Sequence, residues 1–216
     1  MRNAFGRGLV VPYNGRMNDE DYMRLAIAEA RRAESLGEVP IGAVVVYEPI
    51  DRGTRRPLAE PRVISRACNL RETTKNPAGH AEFLAMQEAA RALDAWRLSD
   101  CTVYVTLEPC QMCSGALVQS RIDRVVVGAM NKKAGCAGSI LNILQMEEFN
   151  HQVELTTGVL QEECQDILKR FFKDLRVRVK KEKEEKRAAE VEMQRAEGDK
   201  KPEENEKLET ERESED

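Results

Sequence analysis

Two short motifs, His80-Ala81-Glu82 and Pro109-Cys110-Gln111-Met112-Cys113, limit what this chain can fold into more than any other feature. Between them they hold an imidazole, a carboxylate and two thiols with two residues between the sulfurs. Imidazole nitrogen and thiolate sulfur bind Zn²⁺ at about 2.0 and 2.3 Å. His80, Cys110 and Cys113 would supply three ligands, and a catalytic zinc needs no more, because water takes the fourth position. Glu82 would carry protons and leave the ion alone. The fold must therefore bring two separate segments onto one ion per subunit.

The sequence around each motif suggests how. Residues 103–107 (Val-Tyr-Val-Thr-Leu) read as a strand and 114–118 (Ser-Gly-Ala-Leu-Val) as a helix. The cysteines thus fall at a strand-to-helix junction, where α/β folds usually place their sites. Pro109 is expected at the first helical position, where no amide hydrogen is needed. The exposed amides and dipole of a helix start favour a negatively charged thiolate. On the other side, Asn76-Pro77-Ala78-Gly79 is turn chemistry, and 81–93 is an alanine-rich helical run with His80 and Glu82 at its start. Residues two apart on a helix point in different directions. One can bind metal while the other faces a substrate.

A lone Cys-x-x-Cys fits a structural zinc half-site or a redox pair equally well. A lone His-x-Glu means little. Together and in this order they match the H-x-E…P-C-x-x-C pattern of zinc-dependent base deaminases. In such a site zinc lowers the pKa of water from 15.7 to about 7. The hydroxide attacks the amidine carbon of an aminated ring, and Glu82 would move protons from water to ring nitrogen and to the leaving amine. The other cysteines, Cys68, Cys101, Cys136 and Cys164, read as small core hydrophobes. His151, near a strand start, reads as structural.

The 216 residues allow one domain of ordinary size once a charged end is set aside. The cysteines suggest a reducing interior and no disulfide framework. No apolar run approaches the roughly 20 residues of a membrane span, and no signal peptide is visible. The net charge of −4 argues against broad non-specific nucleic-acid binding but not against a local basic face.

In order, 1–16 reads as a disordered leader, with Met17 as the natural beginning. Asn18 or Asp19 caps a helix running to Ser35, stopped by Gly37. Residues 41–47 form a buried strand, 48–61 a long hairpin loop and 62–67 the returning strand. Asn69 follows at its end. A strand at 124–129, a glycine-containing loop at 135–139 leading to a short helix, a fifth strand at 153–157 and an amphipathic helix at 162–175 complete a domain over 17–176. The tail, 177–216, is Lys/Glu-rich. It extends the last helix through ion pairs between turns near 180–195 and becomes disordered beyond Gly198.

The stretch 18–175 resembles the bacterial tRNA-specific adenosine deaminases of the cytidine deaminase-like superfamily. The resemblance rests on both zinc motifs, on Glu38-Val39-Pro40-Ile41-Gly42-Ala43-Val44, Asn69, and Leu107-Glu108 through Ala116. It continues in Gly135-Cys136-Ala137-Gly138-Ser139, Asn150-His151 and Phe171-Phe172. It implies a three-layer α/β/α domain with a five-stranded mixed sheet, a cytoplasmic homodimer, and hydrolysis of adenosine to inosine at the wobble position of a tRNA anticodon. It implies Zn²⁺ on His80, Cys110 and Cys113, Glu82 as proton shuttle, and Asn69, Asn131 and Lys133 as substrate contacts. Arg121, Arg124, Lys132, Lys133, Lys169, Arg170 and Lys173 are candidates for phosphate contacts with an anticodon stem-loop, whose splayed bases suit single-strand recognition. Three features depart from the family: the long 48–61 insert, Asn131 where many members carry aspartate, and the charged tail. The alternatives are a deaminase of free bases or nucleotides, such as guanine or cytosine, and a silent RNA-binding subunit that keeps zinc for folding.

Overall fold

The computed structural model describes residues 17–212, with the side chains of 192 and 194–212 excepted. The expected leader at 1–16 lies outside the described residues. The chain divides into two compact units, Met1–Lys169 and Arg170–Asp216.

The first unit is a sheet of five strands between helical layers. In chain order it contains α1 (Asp19–Ser35), β1 (Gly42–Tyr47), β2 (Arg62–Cys68), α2 (Arg71–Thr74), α3 (Ala81–Leu93), β3 (Cys101–Leu107), α4 (Gln111–Gln119) and β4 (Arg124–Ala129). A 3₁₀ turn (Ile143–Gln145), β5 (Glu154–Thr157) and the start of α5 (Gln161–Arg212) follow. The strand order is β2-β1-β3-β4-β5. β1 is antiparallel to β2 and β3, while β3, β4 and β5 are parallel, so the sheet is mixed as expected.

The strands are apolar at successive positions because both faces are covered. Ala43, Val45, Val103, Val105, Val125 and Val127 pack with Ala85, Ala89, Leu117 and Val118 of α3 and α4. The alternate residues Val44, Val46, Tyr104 and Val126 pack with Met23, Ala26 and Ile27 of α1 and with Cys164 and Ile167 of α5. This period-2 division of the same strands between two cores is what makes three layers. Gly42 permits the close approach of α1, since a Cβ there would overlap the Ala26 carbonyl and the Ala30 amide.

Asn18 caps α1 in a full capping box. Its Oδ1 accepts from the Asp21 amide at 3.0 Å, and its own amide donates to Asp21 Oδ2 at 3.1 Å. The layer is also pinned electrostatically. Arg124 donates to both Asp19 oxygens at 2.9 and 2.7 Å, and the Tyr104 hydroxyl donates to Asp19 Oδ1 at 2.9 Å.

The helix at the carboxyl end is longer than its amphipathic pattern. Periodicity supports it to Leu175, whereas the backbone stays helical to Arg212, through the composition that reads as disordered. Within the second unit the Phe171 and Phe172 rings meet edge-on at 5.4 Å. The pairs Lys180–Glu184 (3.8 Å) and Lys181–Glu185 (3.6 Å) bridge successive turns.

Candidate metal centre and active site

β3 is parallel to β4, so its carboxyl end opens onto the sheet edge used for sites in α/β folds. Pro109 and Cys110 follow that end directly. Cys110 is the N-cap of α4 and Cys113 stands in its first turn. Pro109 is thus not the first helical residue, as its chemistry predicts, but precedes the cap. Its carbonyl accepts from the Cys136 amide at 2.8 Å, which holds it against the 131–139 loop. His80 is likewise the N-cap of α3. Both caps have extended backbone, and neither side chain is used for capping, so both are free for another partner.

The two caps meet. His80 Nδ1 lies 3.7 Å from Cys110 Sγ and 3.5 Å from Cys113 Sγ, and the three donor atoms lie within 4.8 Å of one another. Ligands at 2.0 and 2.3 Å on a tetrahedral ion are about 3.5 Å apart. The donor set and its spacing therefore fit a metal ion. The Cys110 thiol is drawn down to about 3, first by hydrogen bonding with the Cys113 thiol, and Cys113 is pushed up by the same bond and by burial. One sulfur of the pair thus carries negative charge readily. His80 is held above its ordinary value, first by its hydrogen bond with Cys110.

Glu82, in the first turn of α3, is 4% exposed. Burial raises its pKa, and its Oε2 has no hydrogen-bond partner. A buried carboxylate oxygen without a partner is costly. It fits a site in which that atom exchanges protons with a bound molecule.

Two further carboxylates, Glu108 and Glu38, are buried and were given no role from the sequence. Glu108, 2% exposed and two residues before Cys110, accepts from the amides of Asn131 (2.7 Å), Ala137 (3.0 Å) and Ser139 (2.9 Å) and from the Ser139 hydroxyl (2.5 Å). Gly135 is required there, because a Cβ would run into that carboxylate. Glu38, between α1 and β1, accepts from Asn69 Nδ2 (3.0 Å) and from the Thr73 amide. Each acid stands beside a proline-containing stretch at a strand end, Glu38-Val39-Pro40 and Leu107-Glu108-Pro109. That isolated acid in an apolar context was the available signal.

The candidate contacts are distributed as follows. Asn69 is buried at the end of β2, and the neighbouring Leu70 amide donates to Gly79, the residue before His80, at 2.9 Å. Asn131 begins the loop that Glu108 holds. Its Oδ1 accepts from the amides of Lys133 (3.2 Å) and Ala134 (3.3 Å) and so closes its own turn. Lys132 and Lys133 are exposed on that turn.

Arg124 is not available as a phosphate contact. Its guanidinium is taken by Asp19 and by Thr156 Oγ1 at 2.8 Å. It also starts β4, at the end of the sheet away from Cys110, and Arg121 lies there too, donating to Asn150 Oδ1 at 2.9 Å. Strand polarity, invisible in composition, is what sets both there. Lys169 pairs with Asp166 at 3.2 Å. His151 is structural, its Nε2 lying 2.7 Å from the Ile122 carbonyl. Cys68, Cys101, Cys136 and Cys164 are buried, and burial pushes the thiols of Cys101 and Cys164 up to about 12.

Residues 17–176 match the model of the MafB19-like deaminase family. A tRNA-specific adenosine deaminase of Bacillus subtilis strain 168 is 51% identical over 162 residues, covering 75% of this chain and 93% of the relative. One from Haemophilus influenzae is 41% identical over 165 residues, covering 76% and 89%. Among solved structures, one from work on A-to-I editing by tRNA:A34 deaminases at the wobble position of transfer RNA superposes with a TM-score of 0.59. It is 35% identical and covers 68% of this chain and 98% of its own.

Proposed function

The chain belongs to the MafB19-like deaminase family, among the tRNA-specific adenosine deaminases, and from that premise we propose that it hydrolyses adenosine to inosine at the wobble position of a tRNA anticodon. The observation that carries this reading is the meeting of two helix caps, His80 and Cys110, with Cys113, beside a buried Glu82 oxygen that has no partner.

His80, Cys110 and Cys113 are the residues that would hold one Zn²⁺ per subunit. When bound, zinc supplies a Lewis-acid charge that brings the pKa of water to about 7. The chain's own part is proton traffic and placement. Glu82 Oε2 takes a proton from the attacking water, delivers it to the ring nitrogen, and then assists departure of the amine as ammonia. Burial in the first turn of α3 keeps that carboxylate away from bulk water. Asn69, Asn131 and Lys133 are proposed to contact the RNA, Asn131 through its amide nitrogen because its oxygen is committed. An adenine inside a duplex could not reach such a buried group, so a loop substrate suits the site.

The protein is proposed to act in the cytoplasm as a homodimer. Ile140, Leu141, Met146 and Phe149 expose apolar surface that a second copy could cover. Among the described residues no helix is long and apolar enough to cross a membrane.

The test is incubation of zinc-loaded protein with an anticodon stem-loop carrying adenosine at the wobble position, and separately with free guanine, cytosine and adenosine. Inosine formed in the stem-loop is the expected result. Ammonia released from free bases alone would replace this reading with that of a free-base deaminase.

A further inference from the structure

The charged segment after Leu175 is helical, and a helix gives its side chains common faces that composition alone does not reveal. Lys173, Arg176, Lys180, Lys183 and Arg187 follow one another at alternating spacings of three and four residues. That period keeps side chains on one side of a helix. No acid interrupts the stripe, which ends where Glu190 takes the next place. It presents about one cation per turn, about 5.4 Å apart, over a length of about 20 Å.

All five side chains are exposed. Among the described residues Lys180 alone of the five has an acid partner, Glu184 at 3.8 Å, and Lys173, Arg176, Lys183 and Arg187 have none. Like charges three and four residues apart on a helix repel one another. A helix laced only by its own ion pairs would alternate the signs along each face. Here the stretch 173–187 carries eight Lys or Arg against four Asp or Glu, in a chain whose net charge is −4. One face thus concentrates positive charge that the helix itself does not neutralise, and it suits a partner of opposite sign.

What the stripe lacks narrows the chemistry of that partner. The apolar row beside it, Phe172, Leu175 and Val179, stops at Val179, and from 180 to 187 there is no apolar side chain. A helix that enters a lipid surface needs an apolar face along its length, and a coiled coil needs an apolar seam. A regular row of bare cations fits a regular row of anions. Nucleic acid is such a row, with about one negative charge per 1.7 Å of duplex axis. Three of the five cations, Lys180, Lys183 and Arg187, lie beyond residue 176, where the match to the deaminase family ends. We infer that the stripe over 173–187 binds the phosphate backbone of the tRNA substrate, adding affinity through charge and taking no part in the chemistry. This inference rests on the tRNA reading above and adds to it a second contact surface, outside the stretch matched to the family.

The experiment compares two triple variants of the zinc-loaded full chain that remove the same three charges. R176Q/K183Q/R187Q strips the stripe, and R178Q/K181Q/K186Q strips other sides of the same helix. Glutamine is a good helix former, so helicity followed by circular dichroism should be kept. The Kd for a whole tRNA transcript with adenosine at the wobble position is measured across a series of salt concentrations. Each protein then also carries E82Q, so that bound RNA is not turned over. The stripe variant should bind about tenfold or more weakly at about 0.1 M salt, and its slope of log Kd against log salt should fall by about 2–3, near one per lost contact. The control triple should stay within about twofold of the parent with its slope unchanged. R176K/R187K, which keeps the charge, should bind like the parent. If the stripe triple loses helix, K183Q decides by itself, with a slope lowered by about one. With Glu82 restored, kcat at saturating tRNA should be equal in all variants. Equal weakening by both triples would reduce the effect to net charge and overturn the inference, as would a stripe-variant Kd within about twofold of the parent. Loss of binding to phosphatidylserine vesicles with tRNA affinity intact would overturn it in favour of a lipid surface. These outcomes leave the deaminase reading untouched if wild type forms inosine. Stripe-dependent tRNA binding without inosine would instead overturn that reading and keep the contact surface.

Discussion

Glu108 Oε2 lies 2.7 Å from the backbone amide of Asn131, and through that bond the residue preceding Pro109-Cys110 governs the loop facing the ligand cluster. The same carboxylate takes two further amides and a hydroxyl, all neutral donors. The acid thus acts as a template on which the 131–139 segment is folded. Cys110 and the Asn131–Lys133 turn are held in fixed relation by one side chain.

Glu108→Ala leaves three buried or half-buried amides without an acceptor. It is expected to destabilise the fold by about 2–4 kcal/mol, given a cost of about 1–3 kcal/mol for each unpaired buried donor and partial rescue by water. Gly135→Ala should act in the same direction, because its Cβ would displace the carboxylate. Urea unfolding checks both. A Glu108→Ala midpoint equal to wild type would mean that the loop is shaped by something else.

Glu82→Gln keeps the volume of the side chain and removes its proton affinity. Since Glu82 is outside the His80, Cys110 and Cys113 set, the variant should retain its metal and Tm. Its kcat should fall by about 10²–10⁴, the usual contribution of a positioned proton carrier. Metal analysis alongside single-turnover rates separates this outcome from a damaged metal site.

Removal of the ion with a chelator should abolish activity, and Zn²⁺ should restore it. Cys110→Ser should bind the ion far more weakly, because hydroxyl is a poor substitute for a thiolate that this site already favours in charged form. Stoichiometric zinc in Cys110→Ser with full turnover would contradict the assigned ligand set.

The Asp19–Arg124 pair predicts a pH dependence of stability with a definite sign. Hydrogen bonding from Arg124, ahead of the opposing effect of burial, holds the Asp19 carboxyl below its ordinary 3.8. The folded state therefore binds that proton less readily than the unfolded chain. The stabilisation is fully present above the ordinary carboxylate value and is lost as pH falls through the lower, folded-state value. Asp19→Asn should have a lower Tm than wild type at neutral pH, and the gap should close below about pH 4. About a third of the Asp19 side chain remains exposed, so the loss at neutral pH is expected to be modest, about 1–2 kcal/mol. A gap that widens on acidification would refute the assignment.

Much of this protein can be read along its chain. The strands at 42–47, 101–107 and 124–129 announce themselves as largely apolar runs, because both their faces are covered and no polar alternation is required. The ligand types and their spacing follow from metal chemistry acting over a few residues, and the start of α1 follows from its local capping box. The exact place of Pro109 does not: the helix starts two residues later, at Gln111, and the Pro109 carbonyl accepts from the Cys136 amide.

What lay beyond the sequence is what depends on distance through space. Neither Glu38 nor Glu108 has a local signature, because their partners are 31 to 35 and 23 to 31 residues away. Arg124 looks like any surface cation until strand polarity sets it at the far end of the sheet with Asp19, 105 positions earlier in the chain, on its guanidinium. Short-range patterns decide which residue types can bind an ion or line a core, since those preferences are properties of single side chains and their immediate turn. Which buried acid orients which amide, and which charge is already spent, is settled only when the layers close, because hydrogen bonds and ion pairs are chosen by proximity and burial and not by order along the chain.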